Sequence, residues 1–199
     1  TYSWTPSSNL NNGNQAQPDV TSLSKQTDFV LTATDQFSCQ ATDTLTVYPP
    51  VQAEAGANET FCDSSITLGG RRVGRGGKPG YQYQWQPAAK LSNDSIANPK
   101  LDSLDKQITF SVSVTGQKGC TKKDSVTIYP PVEVNLDTFS SICRGDSIQV
   151  NSLSVSGGKP GFTYSWSPTD SVSNPAIDSP RLYPDSTTKY TITVTDSLG

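Results

Sequence analysis

Apolar and polar residues alternate with period two through much of this chain. Val51, Ala53 and Ala55 share one side of a predicted strand, and Ile66 and Leu68 mark a second. Tyr81, Tyr83 and Trp85 fall on one face of a third, with Gln82, Gln84 and Gln86 on the other. Residues 98–104 read as a weaker strand. Ile108, Phe110, Val112 and Val114 then alternate with Thr109, Ser111, Ser113 and Thr115, and Val126 and Ile128 close the set. Such alternation turns one face of an antiparallel strand to a core and the other to water. No stretch shows the i, i+3, i+4, i+7 apolar spacing of an amphipathic helix.

The pattern recurs at an interval of 81 residues. Trp4, Trp85 and Trp166 keep that spacing, as do Cys39 and Cys120, Cys62 and Cys143, and Pro18, Pro99 and Pro180. Tyr48-Pro49-Pro50 returns as Tyr129-Pro130-Pro131, and Gly76-Gly77-Lys78-Pro79-Gly80 as Gly157-Gly158-Lys159-Pro160-Gly161. The third copy is one residue shorter between Leu182 and Tyr190, since Phe110 matches Tyr190. A double proline ends a hydrogen-bond ladder and stiffens the crossing that follows, so the Tyr-Pro-Pro triplets mark the joints. The boundaries expected are 1–50 for the C-terminal part of a first repeat, 51–131 for a complete repeat, and 132–199 for a repeat lacking its last strand. About seven short strands in about 80 residues, with a tryptophan on the third, predict an immunoglobulin-like sandwich. The fold class expected is therefore all-β: tandem immunoglobulin-like β-sandwich domains in an elongated array. Tyr83, Trp85, Phe110, Tyr164, Trp166 and Tyr190 are the expected core anchors.

Composition narrows the function. The chain has 199 residues, a formal charge of −3 and no histidine or methionine. Its pI of about 4.8 and scattered Lys and Arg argue against a nucleic-acid partner. No apolar run approaches the roughly 18 residues of a membrane span, so membrane insertion is not expected. Without histidine, Ser-His-Asp and Cys-His arrangements cannot form within the chain. Most Asp residues sit where strands end and turns begin, where local hydrogen bonding accounts for them. No catalytic, cofactor-binding or metal-binding residues are expected, and the chain is not read as an enzyme.

Cys39, Cys62, Cys120 and Cys143 recur in pairs, which suits an oxidising, extracellular setting. Three arrangements stay open. One joins Cys62 to Cys120 within a repeat. A second staples neighbouring repeats, pairing Cys62 with a cysteine that the period places just beyond Gly199, and Cys120 with one before Thr1. The third leaves free thiols or other pairings. No C-x₂-C spacing suggests zinc. Arg144-Gly145-Asp146 occupies an ordinary turn position after Cys143, and Gly76–Gly80 lacks the spacing of a phosphate loop. Asp35 and Asp196, after the sixth strand of their repeats, are candidates for calcium held by oxygen ligands near a joint.

The run Gly77-Lys78-Pro79-Gly80-Tyr81-Gln82-Tyr83-Gln84-Trp85-Gln86-Pro87, with Leu91-Ser92-Asn93, Ile96-Ala97-Asn98-Pro99, Phe110 to Thr115, Gly119-Cys120 and Asp124 to Ile128, resembles the PKD-like immunoglobulin-fold repeats of large Bacteroidota surface proteins. The likeness covers nearly the whole chain. It departs after the tryptophan, where Gln86-Pro87-Ala88-Ala89-Lys90 replaces the acidic turn usual in that family. The resemblance implies an extracellular, cell-surface repeat exported by a type IX route, as in gliding-motility adhesins. Its partners would be neighbouring repeats of the same protein and an unnamed surface or glycan ligand. It also gives meaning to a recurring Asp-Ser/Thr-aliphatic pattern, which resembles an O-glycosylation signal of such proteins at Thr44, Ser95, Ser103, Ser125, Ser147, Ser171, Ser186 and Ser197. The same pattern equally starts strands. The function expected is a structural spacer or stalk of a large secreted adhesin. Two alternatives stand beside it: a carbohydrate-binding accessory module using Tyr48 and Tyr129, and an assembly subunit completed by strand addition.

Overall fold

The computed structural model describes residues 1–137 and 141–199. Among them there are strands, turns and bends but no helix. In chain order the strands are β1 (Tyr2–Thr5), β2 (Leu10–Asn11), β3 (Asp19–Val20), β4 (Thr27–Thr34), β5 (Gln40–Val47), β6 (Gln52–Ala53), β7 (Glu59–Thr60), β8 (Ile66–Thr67), β9 (Gly74–Arg75), β10 (Gln82–Gln86), β11 (Lys100–Leu101), β12 (Ile108–Thr115), β13 (Thr121–Tyr129), β14 (Glu133–Asn135), β15 (Ile148–Gln149), β16 (Ser154–Ser156), β17 (Thr163–Ser167), β18 (Arg181–Leu182) and β19 (Thr191–Thr195). The chain divides into two compact units, Thr1–Gly56 with Thr67–Pro99 and Phe110–Ser125, and Ala57–Ile66 with Lys100–Thr109 and Val126–Gly199.

In the first unit β1, β4 and β5 form an antiparallel sheet in that order. Trp4 lies opposite Leu31, and Phe29 opposite Leu45. Eighty-one residues on, β10 pairs with β12 in the same register, Trp85 opposite Val112. β6 pairs with β9, and β2 with β3. The alternation read from the sequence is visible in β12, where Phe110, Val112 and Val114 are buried and their neighbours are not. Gly69 adopts φ +76°, and the Asn98 side-chain amide donates to the carbonyls of Leu68, Gly69 and Gly70. This one amide closes the kink that separates β8 from β9.

In the second unit β7 runs parallel to the end of β13, with Ile128 opposite Glu59 and Tyr129 opposite Thr60. β14 pairs with β16, β15 with β18, and β17 with β19. Trp166 lies opposite Ile192. Val150, Trp166 and Leu182 are buried together, and Leu136, Ile148, Leu153, Val172, Tyr190 and Ile192 pack against them.

The larger four-stranded sheet has the order β10-β12-β13-β7, with β6–β9 and β8–β11 as separate pairings. Named by position in an immunoglobulin sandwich, these are a C–F–G sheet with an added A′ strand, and the A–B and B–E pairings. The fold is all-β and immunoglobulin-like. Strand C is shorter at its start than the alternation predicts: it begins at Gln82, because Gly80 has φ +107° and the Tyr81 hydroxyl is turned to the carbonyl of Gly76. The weak strand over 98–104 shrinks to Lys100–Leu101, where Leu101 is buried.

Candidate interaction site at the proline joints

The repeated Gly-Gly pair is where the chain grips its own joint. Gly77 N donates to Pro49 O at 2.7 Å, and Gly158 N donates to Pro130 O at 2.8 Å. Gly76 and Gly157 have φ of +66° and +71°. A side chain at Gly76 would collide with the carbonyl oxygen of Pro50, and one at Gly157 with that of Pro131. Only glycine permits both the left-handed backbone and this approach. The Gly-Gly turn and the Tyr-Pro-Pro triplet lie far apart in sequence and act as one part.

The tryptophan corner is equally regular. Trp4, Trp85 and Trp166 donate their indole N–H to the carbonyls of Gln15, Ile96 and Ile177, at 3.1, 3.1 and 2.9 Å. Their backbone N–H groups donate to Gly13, Asp94 and Pro175, at 3.0, 2.8 and 3.0 Å. Each tryptophan is followed, one residue on, by a cis X-Pro bond. Gln84 Nε2 adds a 2.6 Å bond to Asp94 Oδ2 in the middle copy.

Trp85, Phe110 and Trp166 are fully buried. Tyr83, Tyr164 and Tyr190 are half-buried. Burial raises the pKa of the Tyr83 phenol, and the neighbouring Tyr81 adds to the rise. The Tyr190 hydroxyl lies 2.6 Å from Ser171 Oγ.

Asp196 is a buried carboxylate. Oδ1 accepts from Leu198 N at 2.9 Å and Gly199 N at 3.2 Å, and Oδ2 from Lys159 N at 2.8 Å and from the Thr60 hydroxyl. Burial alone would raise its pKa. The donors outweigh burial and hold it below the ordinary carboxylate value, Lys159 N foremost, then Thr60, Leu198 and Gly199. Asp35 occupies the matching turn of the first repeat and accepts from Phe37 N at 2.7 Å and Cys39 N at 2.9 Å. Asp196 is engaged at both oxygens, and Asp35 at Oδ1. Among the described residues no group of three or more Cys, Asp or Glu is placed to hold a metal ion.

Cys39, Cys62, Cys120 and Cys143 are all exposed free thiols. Arg144, Gly145 and Asp146 form an exposed turn closed by Asp146 N to Cys143 O at 3.0 Å. Thr44, Ser95, Ser103, Ser125, Ser186 and Ser197 are exposed, whereas Ser147 and Ser171 are half-buried. Tyr48 and Tyr129 are half-buried at the joints rather than displayed on an open face. A cleft of about 520 Å³ opens beside Tyr48, lined by Thr46 to Val51, Gly77, Lys78, Gly116, Lys118 and Cys120 to Lys122. Neither the Gly–Pro clamp nor the Thr60–Asp196 bond was expected. The shared 81-residue period of Gly-Gly and Pro-Pro was a signal for the first. Nothing in the sequence signals the second.

No family model matches the chain, and no curated protein matches it. Solved structures similar to it include protocadherin gamma B7 extracellular cadherin domains 1–4, at 17% identity and a TM-score of 0.34, covering 98% of this chain and 63% of that one. Sidekick-1 immunoglobulin domains 1–5 match at 13% identity and a TM-score of 0.34, covering 100% and 49%. The human desmocollin-1 ectodomain matches at 12% and 0.35, again covering 100% and 49%. The chain thus spans less than two thirds of each of these structures. Likeness at these scores carries no argument about activity or partners. The class rests on the strand order: an all-β protein with an immunoglobulin-like sandwich fold.

Proposed function

We propose that this chain is a structural spacer segment of a large secreted cell-surface adhesin, in which residues 1–50, 51–131 and 132–199 belong to successive repeats. The observation that carries this reading is the same clamp built twice: Gly77 to Pro49 and Gly158 to Pro130, each with a neighbouring glycine where no side chain fits. A binding site is needed once, whereas a stalk needs the same joint in every unit. Repeated hydrogen bonding across a double proline limits bending and holds a distal element away from the surface. The resemblance to gliding-motility adhesins and their type IX export belongs to this reading, as does O-glycosylation at the exposed Asp-Ser/Thr sites. No catalytic role is assigned.

Small-angle X-ray scattering of the chain and of a Gly77→Val, Gly158→Val variant tests it. The native chain is expected to scatter as a stiff rod, and the variant as a more flexible particle. A native chain as flexible as the variant would overturn the spacer reading.

A further inference from the structure

The repeat supplies its own control: what recurs serves the architecture, and what one copy alone carries needs another reason. The segment between β8 and β9 is such a place. Leu68 N donates to Pro99 O and Val150 N to Pro180 O, so Leu68 and Val150 match. Ala53 lies opposite Gly74 and Val134 opposite Val155, so Gly74 and Val155 match. Between these fixed points the middle copy runs Gly69-Gly70-Arg71-Arg72-Val73, and the third runs Asn151-Ser152-Leu153-Ser154. The middle copy is one residue longer and carries arginines where the third has none. Three of the chain's five arginines, Arg71, Arg72 and Arg75, fall in this bulge and the strand that leaves it.

The bulge is tied down at its base. The Asn98 amide donates to the carbonyls of Leu68 and Gly70 at 3.1 Å each and to that of Gly69, and Gly69 N donates to Ala55 O at 3.1 Å. Leu68 and Val73 are buried on either side, which leaves Gly70, Arg71 and Arg72 as an exposed tip with no apolar side chain. A Cβ on Gly70 would meet nothing within 4 Å, so that side of the tip is open. Arg75 pairs with Glu54 at 3.7 Å. Arg71 and Arg72 have no acidic partner among the described residues. Two neighbouring unpaired guanidinium groups repel each other, so the fold itself does not call for them.

We propose that this tip binds an acidic polysaccharide, a sugar polymer bearing carboxylate or sulfate groups. A guanidinium is a planar fork of donors that takes two oxygens of one such group together. Arg71 and Arg72 supply the free forks, and Arg75 stays with Glu54. The bare backbone of Gly70 lets a sugar ring come close beside them. The partner carries spaced charges, because the tip offers two free cations on a chain whose net charge is −3. A densely charged polymer such as nucleic acid would be repelled by the remainder. A membrane surface would call for apolar side chains beside the arginines, and a peptide for side-chain pockets; the tip has neither. The site gives one repeat of the spacer a ligand and does not depend on the spacer being stiff.

Binding of the intact chain to immobilised polygalacturonate and dextran sulfate, with neutral dextran as the blank, tests this at physiological salt. The chain is expected to bind one or both acidic polymers and not the blank, and the polymer bound names the anion as carboxylate or sulfate. An Arg71→Gln, Arg72→Gln variant is expected to bind at least about tenfold more weakly, with its melting temperature unchanged. An Arg71→Lys, Arg72→Lys variant keeps the charge, loses the fork, and is expected to bind severalfold more weakly. A Lys122→Gln, Lys123→Gln variant, altered at the other basic doublet, is expected to bind as the parent does. Binding to neither polymer, an equal loss in both glutamine variants, or full binding by the lysine variant would overturn the proposal. So would equal or tighter binding to polyglutamate or to phosphatidylglycerol vesicles, which would assign the tip to an acidic peptide or a membrane. None of these substitutions touches the proline joints, so the scattering test of the spacer reading succeeds or fails separately.

Discussion

The indole Nε1 of Trp85 donates to the carbonyl oxygen of Ile96 at 3.1 Å, and the backbone N–H of Trp85 donates to Asp94 O at 2.8 Å. One residue thus fills the core and ties strand C to the loop that follows it. Trp85→Ala removes both packing and the indole bond and is expected to cost about 3–5 kcal/mol. Trp85→Phe keeps most of the volume but leaves Ile96 O without its donor, for about 1–3 kcal/mol. Urea unfolding followed by circular dichroism should rank the two in that order.

Gly76 and Gly70 form a matched pair of test sites. Gly76 has φ +66°, and a side chain there would meet Pro50 O, whereas a side chain at Gly70 meets nothing within 4 Å. Gly76→Ala is expected to destabilise by roughly 1–3 kcal/mol from backbone strain alone. It should also speed proteolysis at the Tyr48–Val51 joint. Gly70→Ala should stay within about 0.5 kcal/mol of the parent.

Asp196 makes the second unit sensitive to acid. Its folded pKa is lowered, so its contribution is present above the unfolded value of about 3.9 and lost as pH falls through the lower folded pKa. Asp196→Asn is therefore expected to lower the melting temperature at pH 7, with the gap to the parent closing as pH falls below the ordinary carboxylate range. Thr60→Val removes one donor to Asp196 and should shift the carboxyl pKa upward, read by carbon-detected NMR titration.

Among the Asp-Ser/Thr sites the structure ranks accessibility. Thr44, Ser95, Ser103, Ser125, Ser186 and Ser197 are exposed, whereas Ser171 is half-buried against Tyr190 and Ser147 accepts a bond from Arg181 at 2.9 Å. Peptide mass mapping of native material is expected to find sugar on the exposed group and none on Ser171. A fully unmodified mass would remove glycosylation from the functional reading.

Much of the architecture was legible because burial in a sheet has period two. Phe110, Val112 and Val114 had to share a face once their threonine and serine neighbours faced water. The repeat was legible because the same core and the same turns need the same residues in each copy. Strand ends were less legible. Tyr81 continues the alternation of Tyr83 and Trp85 yet lies outside strand C, since the left-handed Gly80 redirects the chain before it. The pairing of Thr60 with Asp196 was hidden altogether, because a bond between residues 136 apart leaves no local pattern.

By itself the sequence determined the all-β class, the 81-residue period and which residues alternate into a core, since these follow from side-chain polarity and the geometry of an extended chain. Only the tertiary structure decided what the glycines of the Gly-Gly-Lys-Pro-Gly run are for. It set them against Pro49 and Pro130, because backbone hydrogen bonds to a proline carbonyl depend on approach in space rather than on neighbouring residues.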